Sequence, residues 1–291
     1  MSVAARFNRA PLKEFREAVQ QELIVLKPKF SYYSAVDPFT EEDLRDYIED
    51  PIAALPPAVL TLLPEVVVLL APYVDPLNGK EKGRPEKHVT KSAARRREPI
   101  TADQAALPPE GVVMFERPPE ARYWRGVHWL EGATKSTAVI VLATGDTEVA
   151  DYHYQLYRHL AMIVAELSPA ESLAGYLGVI REELNSHMHG EVDERSWQLK
   201  QSFLRHRSQV RRDSREFREY ATQSFVDTLT LYLHGICCDI DVDTGPRQLP
   251  SRHLRRRLRL LRDLYPPPSG YAVFPEELDR MPSPELAAER S

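Results

Sequence analysis

Apolar positions recur along this chain with two different periods, and the change from one to the other falls near residue 145. Before it, short apolar runs dominate. Glu65 to Ala71 holds an uninterrupted run of valine and leucine, as a strand buried on both faces requires. Gly111 to Glu116, Tyr123 to Leu130 and Ser136 to Ala143 also have strand character, and Glu131-Gly-Ala-Thr-Lys135 between the last two reads as a hairpin turn. Two helices are expected in the same half. One covers Pro11 to Leu26, where the spacing is helical. The other starts at Thr40, whose hydroxyl can cap it with Asp43 near its third position, and stops before Pro51.

From Asp146 onward the spacing is helical. A first helix of this half runs from about Thr147 to Leu167 and carries Val149, Leu156, Leu160, Ile163 and Val164 on one face. Ser168-Pro-Ala-Glu171 is a capping box with proline at the first helical position, so a second helix starts there and runs to about Met188, where Gly190 ends it. A third runs from about Asp193 into the charged stretch Arg205 to Glu219. A fourth, separate from it or continuous with it, covers Tyr220 to Ile236. The last spans Arg252 to Leu264, between Pro250 and Pro266-Pro-Pro268. The pattern predicts an α+β protein. A small N-terminal mixed sheet occupies residues 1–145, with a long, polar, proline-bearing flexible loop from Asp75 to Pro109. An all-helical bundle follows over 146–281, and an unstructured tail over 282–291.

Composition narrows the setting. The 291 residues suit one large domain or two modest ones, and 43% hydrophobic residues is enough for a core. With 38 basic against 43 acidic residues, a net charge of -5, the chain is no general nucleic-acid coat. The two cysteines, Cys237 and Cys238, are adjacent, which excludes a disulfide framework and fits a reducing cytoplasm. The first thirteen residues lack the apolar segment of a signal peptide. The most apolar run, Val59 to Val74, is broken by Pro64, Glu65 and Pro72, short of the ~20 residues a bilayer span needs. No membrane association is expected, and the oligomeric state is open.

The unusual chemistry lies in two stretches, Arg181 to Asp193 and His234 to Gly245. If the second helix of the bundle reaches Met188, the 100° step places His187 on its apolar face with Leu173, Tyr176, Leu177, Ile180 and Leu184, and Glu183 at the edge of that face. His189 and Glu191 follow at the helix end. Gln223, Asp227, Thr230 and His234 form a polar stripe on the fourth helix, and His153 lies on the inward face of the first. Imidazoles and carboxylates are the donors that zinc or manganese takes. A divalent metal held by Glu183 and His187, with His234 and His153, would activate water, with Glu191 or Asp227 as base. The alternative is a Glu183–His187 hydrogen-bonded pair, with His189 and Glu191 solvated. Asp239, Asp241 and Asp243 do not make a calcium loop, since Thr244 and Pro250 stand where glycine and glutamate are required.

Arg181 and His187 together fit an Arg-x(4–6)-His pattern that resembles the catalytic motif of HEPN-type ribonucleases. The resemblance implies that His187 assists proton transfer at a ribose hydroxyl and that Arg181 holds the phosphate. The last helix is basic: Arg252, Arg255, Arg256, Arg257, Arg259 and Arg262 surround a seam of Leu254, Leu258 and Leu261. Its outer face, through Arg252, Arg255, Arg256 and Arg259, suits a protein partner or nucleic acid. Three functions therefore stand beside one another. They are a metal-dependent or acid/base hydrolytic site in the helical domain, a non-catalytic component of an intracellular assembly, and a HEPN-like ribonuclease.

Overall fold

A computed structural model describes residues 8–36, 39–76, 109–117, 125–132, 134–169, 173–205, 214–238 and 247–274. The protein is α+β, and the chain forms two compact units. One comprises Met1–Glu41 and Pro64–His159, the other Glu42–Leu63 and Leu160–Ser291. The units are interleaved in sequence, because residues 42–63 group with the helices of the second half.

The first unit is built on a five-stranded mixed sheet. Its strands are β2 (Ile24–Lys27), β3 (Phe30–Ser34), β4 (Glu65–Ala71), β7 (Gly126–Glu131) and β8 (Thr137–Ala143), in the order β2-β3-β4-β8-β7. The centre, β3-β4-β8, is parallel, and the outer strands β2 and β7 run antiparallel to their neighbours. The central position explains the apolar runs read in the sequence. Val66 to Ala71 and Ala138 to Ala143 are buried throughout, as a strand covered on both faces must be. The β7–β8 turn falls where expected, with the Lys135 amide donating to the Gly132 carbonyl at 3.0 Å. A second, antiparallel sheet joins β1 (Arg9–Pro11), β6 (Gly111–Met114) and β5 (Tyr73–Pro76) in that order. Helix α1 (Leu12–Val19) closes the core with Leu12, Phe15 and Val19.

The expected helix from Pro11 to Leu26 is shorter than its spacing suggested. It ends at Val19, and after one 3-10 turn the chain becomes β2, since Ile24 and Val25 are β-branched and pair with β3 across the Pro28-Lys29 turn. Lys29 takes φ +82° in that turn. Of the expected Asp75 to Pro109 loop, residues 77–108 lie outside those described, as does the whole 282–291 tail.

The second unit is helical. From Glu42 its first stretch runs through α2 (Glu41–Leu44), a π turn and α3 (Asp50–Ala53), followed by α4 (Pro57–Leu62). The division of the chain falls within α5 (Val149–Leu167), and α6 (Ala174–Asn185), α7 (Glu194–Arg205), α8 (Arg215–Cys237) and α9 (Ser251–Leu264) complete the unit. Helix α8 packs against α6, α7 and α9 and is buried on several sides, from Phe217 to Ile236. It is a helix in its own right, because the Ser214 side chain caps it by accepting from the Phe217 amide. No helix among the described residues is long and apolar enough to cross a membrane.

Candidate functional site

Helix α6 buries Tyr176, Val179, Ile180, Glu183 and Leu184, so Glu183 occupies a core position of an otherwise apolar face. The helix stops at Asn185, before the histidines. The His187 amide donates to the Leu184 carbonyl at 3.1 Å and the Met188 amide to the Glu183 carbonyl at 2.9 Å, the paired bonds of a Schellman motif. His187 sits at its left-handed position with φ +54°, where glycine is usual. It therefore does not continue the inward face of α6. The chain turns at Gly190 (φ +84°), where any side chain would collide with the Gln248 carbonyl. Glu191 is then clipped to the segment before α9, its amide donating to the Arg247 carbonyl at 2.9 Å and its carbonyl accepting from Leu249 at 3.1 Å.

This path carries Glu191 into the core beside Glu183, where both meet the guanidinium of Arg257 on α9. Arg257 replaces a leucine on the seam of Leu254, Leu258 and Leu261 and is fully buried. Its Nε and Nη2 donate to Glu183 Oε2 at 3.0 and 2.5 Å, Nη1 donates to Glu191 Oε2 at 2.7 Å and to Ser224 Oγ at 2.8 Å, and Nη2 reaches Glu191 Oε1 at 3.1 Å. Every guanidinium donor is thus used. Lys200, at the i+4 position from buried Ser196 on α7, donates to the Gly190 carbonyl at 2.8 Å and to Glu191 Oε1 at 3.1 Å. The Tyr220 hydroxyl donates to the same oxygen. Tyr176 joins through Thr228 Oγ1 at 2.7 Å and the Ser224 carbonyl at 2.9 Å. His253 Nδ1 stands 3.6 Å from Glu183 Oε1 at the edge.

Two carboxylates and two cations balance, and the titration behaviour follows. Burial alone would push the Glu191 carboxyl up. Arg257, by charge and hydrogen bond, together with Lys200 and Tyr220, outweighs burial and holds the group at about 2. Burial lowers Lys200 from its ordinary range, partly offset by Glu191. Burial pushes Tyr176 up to about 12 and, with Glu191, raises Tyr220 as well. Glu191, Tyr176 and Tyr220 are thus each held in one protonation state near neutral pH, as befits a structural clamp.

The clamp borders a cavity of about 320 Å³ lined by Leu184, His187, Met188, His189 on one side and Gln201, Leu204 and Arg205 of α7 on the other. Both walls are anchored in the clamp, the first through Glu183 and Glu191 at its two ends and the second through Lys200. The histidines are exposed at the cavity, so their imidazoles are open to solvent and ligand.

The expected site residues thus separate. Glu183 and Glu191 come together, but with their oxygens spent on Arg257, Lys200 and Tyr220 rather than open to a metal. His187 lines the cavity with His189. Arg181 is exposed, its guanidinium 4.8 Å above the Phe217 ring. Asp227 is buried on α8 and accepts from Gln223 at 2.7 Å, and His234 lies further along the same helix, neither lining the cavity. His153 belongs to the first unit, buried next to Tyr152 and Tyr157. Sequence reasoning missed Arg257 and Lys200. The signal was present, because each occupies a position at helical spacing within an apolar or small-residue face. Comparison with protein-family models, with curated proteins and with solved structures finds no match for the chain.

Proposed function

We propose that the helical unit carries an acid/base hydrolytic site in the cavity walled by His187 and His189, acting on a phosphodiester. One observation carries the reading: two imidazoles, Gln201 and Arg205 share one cavity whose walls are fixed by a buried ionic clamp. Side chains held by a rigid support are what positioned proton transfer needs. One imidazole would take the proton of an attacking hydroxyl while the other supplies a proton to the leaving oxygen. Arg205, always charged, offers the planar fork that fits phosphate oxygens. The likeness to HEPN-type ribonucleases fits through His187, with Arg205 in the phosphate-holding place that the likeness assigns to Arg181. In this reading a metal is not held by Glu183 and Glu191, and the protein works in the reducing cytoplasm that its cysteine usage suits.

The test is cleavage of a fluorophore-quenched oligoribonucleotide, with an excess of chelator and with a 2′-deoxy substrate in parallel. Chelator-resistant cleavage of the ribo-substrate alone is expected, reduced about 100-fold or more in His187→Ala. Cleavage that His187→Ala and His189→Ala leave unchanged would remove the cavity from consideration.

The second reading, a non-catalytic assembly component, has its own observation. Arg252, Arg255, Arg256 and Arg259 are all exposed on α9, the helix that Arg257 pins from its inner side. Arg256 already pairs with Glu182 at 2.5 Å, and Arg255 and Arg259 lie 5.0 and 5.9 Å from the Phe274 ring. Salt-sensitive binding of the oligonucleotide without cleavage, lost on Arg252→Glu, would favour this reading.

A further inference from the structure

The two most exposed large apolar side chains among the described residues are neighbours in sequence, Ile24 at 54% and Val25 at 78%. Both belong to β2, an end strand of the five-stranded sheet. Successive side chains of a strand point to opposite faces. Exposure of both therefore means that neither face of β2 is covered at these positions. Nor does any described strand pair with its outer edge. Such an edge is a template for another strand.

The charges select the occupant. Glu22 precedes β2 and Lys27 closes it, both exposed, with half-buried Leu23 and Leu26 between them and the exposed pair. A second copy of β2 laid antiparallel brings Glu22 of each chain toward Lys27 of the other and puts Ile24 and Val25 at the centre. A parallel copy would set like charge against like. The pairing with β3 is irregular only between Val25 and Lys27, and Ile24 and Val25 themselves pair in register with Tyr32 and Ser31. We propose that the protein forms a two-fold dimer through β2, joining the two five-stranded sheets edge to edge.

Sedimentation velocity of the full chain from about 1 to 100 µM tests this, since a strand-mediated contact of modest area falls in that affinity range. The mass should rise from one chain to two, and Val25→Lys should keep it at one while circular dichroism stays unchanged. Lys27→Glu should weaken the dimer about tenfold or more by opposing like charges, and adding Glu22→Lys should restore it. A wild-type chain that stays single at the top concentration overturns the proposal, as does a dimer indifferent to Val25→Lys. Failure of the charge exchange to rescue overturns the antiparallel arrangement. A single chain with slow amide exchange along β2 also overturns it, because another segment of the same chain would then cover the edge.

Discussion

The two units solve the problem of a core in opposite ways. In the sheet unit the centre is apolar: Val66 to Ala71 and Ala138 to Ala143 are buried with no ion pair among them. In the helical unit two carboxylates and two cations stand at the meeting point of α6, α7, α8 and α9, with Arg257, Lys200, Glu183 and Glu191 at 1% exposure or less. An apolar core is tolerant, since hydrophobic contacts are non-directional. A buried ionic cluster is not, because each member is stable there only while all its partners stay. What the cluster supplies is position. It fixes both walls of the cavity that carries His187 and His189.

The sharpest way to break the comparison is to remove one partner from each core. Arg257→Met should cost about 3–5 kcal/mol, because it leaves Glu183 and Glu191 buried, close and unpaired. Ile140→Val, at a fully buried position of β8, should cost only about 1 kcal/mol. Urea denaturation of both variants measures the difference. Arg257→Lys should recover little, since an ammonium cannot reproduce the fork that spans two carboxylates. Replacing Glu183, Glu191, Lys200 and Arg257 together by leucine or methionine should destabilise less than Arg257→Met alone. A quadruple variant less stable than the single one would mean that the pairs stabilise the fold outright.

Acid separates the units next. Glu191 titrates at about 2 in the fold against an ordinary 4.5. Its folded value is depressed, so its stabilisation is complete above pH 4.5 and is lost as pH falls from there through 2, about 3 kcal/mol in all. In the sheet unit His159 is buried, with Nδ1 2.9 Å from Nδ1 of His128. Burial first, then the charges of His128 and Arg158, hold it well below 6.5. The unfolded chain takes up that proton more readily, so stability falls as pH drops below 6.5. Amide exchange followed against pH should therefore loosen β7 and β8 in milder acid than α6 and α9. His159→Gln should abolish the early loss and leave the later one. Simultaneous loosening of all four elements would show that one group controls both.

The same contrast explains what could be read in the sequence. Strand β4 was legible because burial on both faces forces an unbroken apolar run, and β8 for the same reason. Glu183 was legible as an inward carboxylate from its place on the α6 wheel. Its partners were not, because a helical wheel shows that Arg257 and Lys200 face inward but not which distant charges they meet. A separation of 66 residues between Glu191 and Arg257 carries no local signal. His187 was misplaced for a different reason. The wheel assumed a helix running to Met188, whereas the Schellman turn ends it at Asn185. The signal for that turn is usually a glycine, and here the glycine stands three residues later, at Gly190, serving the approach to Gln248.

The smallest effect tests whether that turn is kept for stability or for use. A histidine at φ +54° carries a strain that glycine would not, since its Cβ crowds the backbone there. His187 is exposed and its backbone bonds are independent of its side chain. His187→Gly should therefore raise stability, by about 0.5–1 kcal/mol, offset in part by the greater freedom of glycine in the unfolded chain. If the cavity is the working site, the same substitution should abolish cleavage of the oligoribonucleotide. Opposite signs in the two measurements identify a residue retained for chemistry at the expense of the fold, as stability and function often trade. If His187→Gly lowers stability instead, the imidazole is packing in the turn, and the turn itself becomes sufficient reason for its presence.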